Sequence, residues 1–435
     1  MRTLMVIVAV AVASVAGPAT ALAGWSTSSI PVRHVAADTA VDARGDAAVA
    51  WASFVAPSTP SALRTVDLVV RLANGRTIRR TVWSSRRAEA IPASVVLGDG
   101  EVTVAWLAYT PRKDAAVWAA YGPLVGRWAP ARVIGHWRDA ELPAIRYPRL
   151  AVAPDGEVLL AWDESSSPID GPAVAWRAPG HGFGVSRPLI GSVKVPLSIP
   201  HELGPIPAFD AHGAAYISGP CDGIVFTAPS HRHHFEGPVV VAPPPAAGFT
   251  LSLSGAGIGL AAWVHGVCTT TPSGTNMTGP LLASVLRTGA FGKPQALTST
   301  QIQAGRSKAV AFPAGGGTVS WDAYVASSES LAFTTFSVQV DADGALGPLQ
   351  SGQQIPGGLV PIAIDGGGDE VLAPDASAQG RVVVRPVSGG PNQPAPSPYG
   401  GVLATAAPTG RAVALAWSTK LPGGGSALEL SVWRP

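Results

Sequence analysis

The side chains suited to chemistry recur at one place in the chain, just past short apolar runs that end in tryptophan or its equivalent. They are Tyr109, Asp163, Glu164, His265, Asp322, Tyr324 and Asp375. Asp114 lies nearby, and the segments leading into the next apolar run add Arg86, Arg87, Trp137, Arg138, Asp139, His201 and Glu202. A ring of carboxylates around an axis could hold a cation. It could also perform acid–base work on a glycoside, which needs two carboxyl groups at a defined separation. The same residues also read as ordinary solvated loop positions, and sequence spacing cannot measure their separations. No metal or cofactor is expected.

A second group is His231-Arg232-His233-His234, in which His231 and His233 are expected to share a strand face. Two histidines can begin a metal site, but third and fourth ligands are not visible nearby, and the run also reads as the polar tip of the second hairpin of the fourth unit. The Asp-x-x-Gly segments supply one or two oxygen ligands each, too few for a calcium loop, and read as turns. Asn276-Met277-Thr278 matches the glycosylation sequon. The chain has no Gly-x-Ser-x-Gly elbow, His-Glu-x-x-His, phosphate-binding glycine loop or Cys-x-x-Cys.

The elements that must position these residues are set by a repeat. Its clearest copy is AVAPDGEVLLAW, from Ala151 to Trp162, and related copies end at Trp51, Trp106, Gly219, Trp263, Trp321, Pro374 and Trp417. In the first seven copies a turn glycine stands six residues before the final position. Two runs rich in Val, Leu and Ala flank a turn opened by Asp or Pro, and glycine takes the left-handed position that a bulged hairpin needs. The end positions lie 43 to 58 residues apart, a period that suits a propeller blade. Weaker second hairpins fall between, such as TVDLVVRLANGRTIRRTVWS, giving four strands per unit. With 50 glycines and 41 prolines in 435 residues and no amphipathic 3.6-residue pattern, a helical reading is poor.

The fold class expected is therefore all-β, a propeller of eight four-stranded blades, with seven as the alternative if a degenerate copy is an excursion. The segment from Gly24 looks like a fourth strand without its first three, and the final ALELSVWRP like a third strand without its fourth. Joined, they would close the ring. The Pro-rich stretch from Gly389 to Gly401 replaces a clear fourth strand in the seventh unit.

Residues 1–23 read as a signal peptide, with Arg2, an apolar core over Leu4–Ala16 and a cleavage site after Ala23. No second hydrophobic span follows, so residues 24–435 are expected as one secreted propeller domain with no membrane span. Only 13% of residues are charged, against about 25% typically, and the net charge is +2. No basic stripe is present, which argues against nucleic acid as a partner. Cys221 and Cys268 occupy similar places in adjacent repeats, and export permits a disulfide between them.

The repeat, followed by an Arg-containing strand and Gly182-Phe183-Gly184, resembles those of secreted bacterial propellers grouped with the sialidases and their BNR-type repeats. In the sialidase Asp-box glycine stands three residues before tryptophan. Here the gap is six and the Ser and Thr are absent, so the resemblance implies the architecture and carries over no catalytic residue. The function expected is a monomeric, non-enzymatic propeller that binds a glycan or a cell-surface protein through loops on one face. The alternatives are a glycosidase-like enzyme using loop carboxylates such as Asp163, Glu164 or Asp322, and a structural module of an envelope assembly.

Overall fold

A computed structural model describes residues 24–434 apart from 33–34, 54–62, 110–113, 138–144, 167–168, 190–204, 219–223, 243–245, 254–257, 272–273, 288, 299–301, 313–314, 327–330, 352–358, 375–380, 387–390, 397–402, 408–409 and 421–425. The repeat turns take the geometry that their glycines imply. In the first, Asp42 N–H donates to the Asp46 carbonyl and Gly45 N–H to the Asp42 carbonyl, both at 3.0 Å, with Gly45 at φ 80°. The same five-residue turn recurs over Ala153–Glu157, Asp210–Ala214 and Asp365–Asp369. Where aspartate opens it, one carboxylate oxygen also accepts two backbone N–H groups of its own turn. Asp42 takes Arg44 and Asp46, Asp210 takes His212 and Ala214, and Asp365 takes Gly367 and Asp369, all at 2.9–3.0 Å. These carboxylates serve the turns.

The strands form eight antiparallel sheets, the blades of a propeller. Blade 1 runs Val35–Val41, Ala47–Ser53, Arg64–Arg71, Thr77–Ser85, and blade 2 runs Glu89–Gly98, Glu101–Tyr109, Ala115–Pro123, Arg132–Trp137. Blade 3 is Ile145–Val152, Val158–Ser166, Ile169–Arg177, Arg187–Pro188, and blade 4 is Ile206–Phe209, Ala215–Ser218, Ile224–Ala228, Glu236–Val240. Blade 5 is Ala246–Leu253, Gly259–His265 and Leu281–Arg287, with the short Ala290–Phe291 and Gln295–Ala296 outside. Blade 6 is Ile302–Ala311, Gly317–Ala326, Leu331–Val340, Gln350–Ser351, and blade 7 is Leu359–Ile364, Glu370–Pro374, Val383–Arg385, Gln393–Pro394. Blade 8 takes Leu403–Ala406, Val413–Lys420 and Ser426–Arg434 from the C-terminal end of the chain and Gly24–Val32 as its outer strand. Closure follows the register expected from the two incomplete ends, from Gly24 opposite Arg434 to Val32 opposite Ser426. Among the described residues no helix is long and apolar enough to cross a membrane.

The first strand of each blade is innermost, and a free strand edge leaves backbone N–H groups to be satisfied. Side chains of the preceding blade do this. Asp38 accepts from Val95 N–H and the Ser94 hydroxyl at 3.0 Å, and Ser94 in turn accepts from Leu150 N–H at 3.2 Å. Ser252 accepts from Ala311 N–H at 3.0 Å, and the Thr405 hydroxyl donates to the Thr39 carbonyl at 2.9 Å across the closing seam.

The repeat tryptophans fill the wedges between blades. Trp106, Trp162 and Trp263 are fully buried, and Trp51, Trp321 and Trp417 nearly so. Buried apolar clusters join blades 1 and 2, 2 and 3, 3 and 4, 4 and 5, 5 and 6, 7 and 8, and 8 and 1. The remaining contact, between blades 6 and 7, has a different make-up. Side chains alternate along a strand, so while Ala309, Val319, Trp321 and Val338 face blade 5, their neighbours Lys308, Thr318, Ser320 and Ser337 face blade 7. Among the described residues, the buried groups on that face other than Val310 are hydroxyls. Lys308 is open to solvent yet walled by surrounding strands, and the lost hydration lowers its pKa. Blade 7 answers with Leu372 and the Arg385–Glu370 ion pair at 3.0 Å.

Candidate functional site

Because neighbouring strands are antiparallel, the turns after first and third strands lie on one face of the ring. The connections after second strands, and those between blades, lie on the other. On the first face the repeat turns are short and interlock. An added Cβ at Gly156 would stand 2.7 Å from the Asp99 side chain, and one at Gly410 would stand 2.8 Å from Ala43. Gly366 N–H donates to the Ala407 carbonyl at 2.9 Å, and Arg411 grips Asp369 through both carboxylate oxygens at 2.8 and 2.9 Å.

The opposite face receives the sequence-selected residues. Tyr109, Asp163 and His265 sit at or near the outer ends of the second strands of blades 2, 3 and 5. Glu164, and Asp322 and Tyr324 of blade 6, lie on the same strand ends, but their side chains fall outside the described residues, as does the whole of Asp375. Asp163 is buried at 5% exposure, opposite Arg146 in the register. Tyr109 donates its hydroxyl to Glu89 Oε2 at 2.6 Å, and Arg64 donates to Glu89 Oε1 at 2.9 Å. This three-residue link ties blade 1 to blade 2. Sequence reasoning found Tyr109 and missed Arg64 and Glu89, because their partnership spans the blade junction.

His265 is half-buried, and its N–H donates to the Pro280 carbonyl at 2.8 Å. Between these two residues the chain makes an extra hairpin, Val267–Thr271 with Gly274–Gly279, that pairs with the innermost strand of blade 6 at Ile302–Ala304. No repeat copy or turn spacing announces it. It carries Cys268, whose side chain lies outside the described residues together with Cys221, and the Asn276 sequon.

His231 and His233 do not share a strand face. Both occupy the turn between Ile224–Ala228 and Glu236–Val240, at φ 61° and 47°. That turn reaches across to blade 3, where His233 Nε2 meets Glu157 Oε1 and the ring stacks on Trp176 at 4.9 Å. His231 Nδ1 lies 3.6 Å from Asp155 Oδ2. Two positive-φ residues in the turn redirect the side chains, so the run clamps two blades. Among the described residues no group of three His, Cys, Asp or Glu side chains is placed to hold a metal.

One displaced carboxylate titration belongs to a repeat turn. Burial pushes the Asp365 carboxyl up to about 6, despite the N–H groups of Asp369 and Gly367, with Asp369 raising it further and Arg411 opposing. A carboxyl raised in the folded state binds its proton there before the unfolded chain does, so stability falls as pH rises from about 4 to 6. Asp365→Asn keeps the accepting oxygen and removes the buried charge. It should raise the pH 7 melting temperature, by the equivalent of about 2 kcal/mol, and flatten the profile between pH 4 and 6. An unchanged profile would show that Asp365 titrates normally.

No protein-family model and no curated protein matches the chain. Solved structures do. The polysaccharide lyase Uly1 is similar at 8% identity and a TM-score of 0.46, over 78% of this chain and 89% of that one. YCF48 bound to a D1 peptide is similar at 11% identity and a TM-score of 0.42, over 95% and 97%. An α-L-arabinanase of Penicillium chrysogenum, complexed with arabinobiose, is similar at 14% identity and a TM-score of 0.39, over 68% and 95%.

Proposed function

We propose that this is an exported, non-enzymatic propeller that binds a glycan or a surface-protein partner on the face opposite the repeat turns. The observation that carries the reading is the asymmetry of the two faces. Among the described residues, one bears minimal, interlocked turns, whereas the other bears the added hairpin over Val267–Gly279. Loops held on a rigid scaffold are where binding residues concentrate. Tyr109, Asp163 and His265 border that face, in the aromatic, carboxylate and imidazole mixture that suits polar ligands.

The test is thermal melting of Gly24–Pro435 against a panel of neutral and acidic oligosaccharides, with and without chelator. A sugar present at about a hundredfold its dissociation constant adds about 2.7 kcal/mol, a readable rise. Replacing residues 267–279 by a short Gly-Ser link should abolish that rise. Retained binding after this replacement would overturn the assignment to this face, and turnover of a bound glycoside would replace binding by a glycosidase-like activity. A panel without effect, followed by capture of an envelope protein that depends on the same hairpin, would select the protein partner.

A further inference from the structure

A cavity of about 420 Å³ opens at the outer rim between blades 1 and 2, away from the face discussed above. Its volume falls within the roughly 300–1,000 Å³ of small-molecule sites. Arg80, Thr81 and Val82 of the strand Thr77–Ser85 form one wall. Arg127, Trp128 and Pro130, from the segment after Ala115–Pro123, form the other. Among the described residues no carboxylate lines it.

The wall is built rather than incidental. The Trp128 indole N–H donates to the Pro123 carbonyl at 2.8 Å, and the ring lies over Gly122, where a Cβ would come within 2.5 Å of it. Any side chain at 122 would displace the indole. Arg80 stacks on that ring at 5.5 Å and donates through one Nη to the Gly126 carbonyl. Its Nε–H is buried with no acceptor among the described residues. Arg127 is exposed at the mouth.

Two guanidinium groups without a carboxylate call for an anion, and the planar fork of arginine matches a carboxylate in two-point fashion. We propose that this rim cavity is a binding site for a carboxylate-bearing small molecule, with Arg80 and Arg127 holding the carboxylate and acidic sugars as its probes. It is independent of the ligand on the loop-bearing face.

The experiment is calorimetric titration of Gly24–Pro435 with trigalacturonate and with 3′-sialyllactose, using galactotriose, lactose and inorganic phosphate as comparisons. At least one acidic sugar should bind saturably, at least tenfold more tightly than its neutral counterpart and than phosphate. Raising the salt should weaken it. Arg127→Ala, at an exposed position, should leave the melting temperature unchanged and weaken binding about tenfold. Arg80→Met should weaken it further, and replacement of residues 267–279 should leave it intact. The proposal is overturned if neither acidic sugar binds, if neutral sugars or phosphate bind equally well, or if Arg127→Ala leaves the affinity unchanged.

Discussion

A variant lacking Gly24–Val32 should melt roughly 5 °C or more below the chain that begins at Gly24. The strand pairs at nine positions with Ser426–Arg434. Each backbone bond contributes about 0.5–1.5 kcal/mol net, and burial of Ile30 about 1.5–3 kcal/mol. Its loss also uncovers the edge beside Trp433, which is 1% exposed, and removes Ser28, the acceptor of Arg71. The sum is on the order of 5 kcal/mol or more, a large share of the stability of a typical domain. Arg434 depends on the same junction, because it bridges blade 8 to the Gly45 and Ala73 carbonyls of blade 1. Restoring the strand as a separate peptide spanning residues 24–34 should recover part of the loss. An unchanged melting temperature on deletion would mean that the ring does not need its closing strand.

That closure was legible because it is written twice in local pattern, once at each incomplete end. The blades were legible for a similar reason. Gly45, Gly100 and Gly156 all take positive φ, and each stands six residues before a tryptophan that fills the wedge. Local constraint leaves a local trace. Contacts between blades leave none. Arg64, Glu89 and Tyr109 meet only because the ring sets blade 1 beside blade 2, and no spacing in the chain encodes that meeting. The His231 run lies at a hairpin tip, as the sequence suggested, but its histidines do not share a strand face, because the two positive-φ residues of that turn carry side chains where the usual signal would be glycine. The hairpin over Val267–Gly279 lacks in its sequence the apolar alternation that marks the other strands, and it adds to an inner edge. The polar contact of blades 6 and 7 was hidden by the same alternation that revealed the rest. Trp321 advertises the face toward blade 5, while Thr318, Ser320 and Ser337 look like ordinary strand residues.

The link most sensitive to a single change should be Arg177. It ends the third strand of blade 3 opposite Val158, so its side chain points back to blade 2. Arg71 holds the same place opposite Ala47 and likewise points back, whereas Arg434 stands one residue further on and points forward. Arg177 is 1% exposed, donates to Glu101 Oε2 at 2.7 Å and to Thr103 Oγ1 at 2.9 Å, and lies 5.0 Å over the Tyr121 ring. Removing one partner of a buried pair strands the other charge, at a cost of about 3–5 kcal/mol. Replacing the charge itself by an apolar group of similar volume is far cheaper. Glu101 is 21% exposed, so water would enter and moderate the loss. Glu101→Ala should therefore destabilise by about 3 kcal/mol, Arg177→Met by about 1 kcal/mol, and the double variant by scarcely more than Arg177→Met alone. Denaturant unfolding of the three proteins measures this. Equal losses for the two single variants would show that Arg177 acts through packing on Tyr121, with its charge already met by solvent.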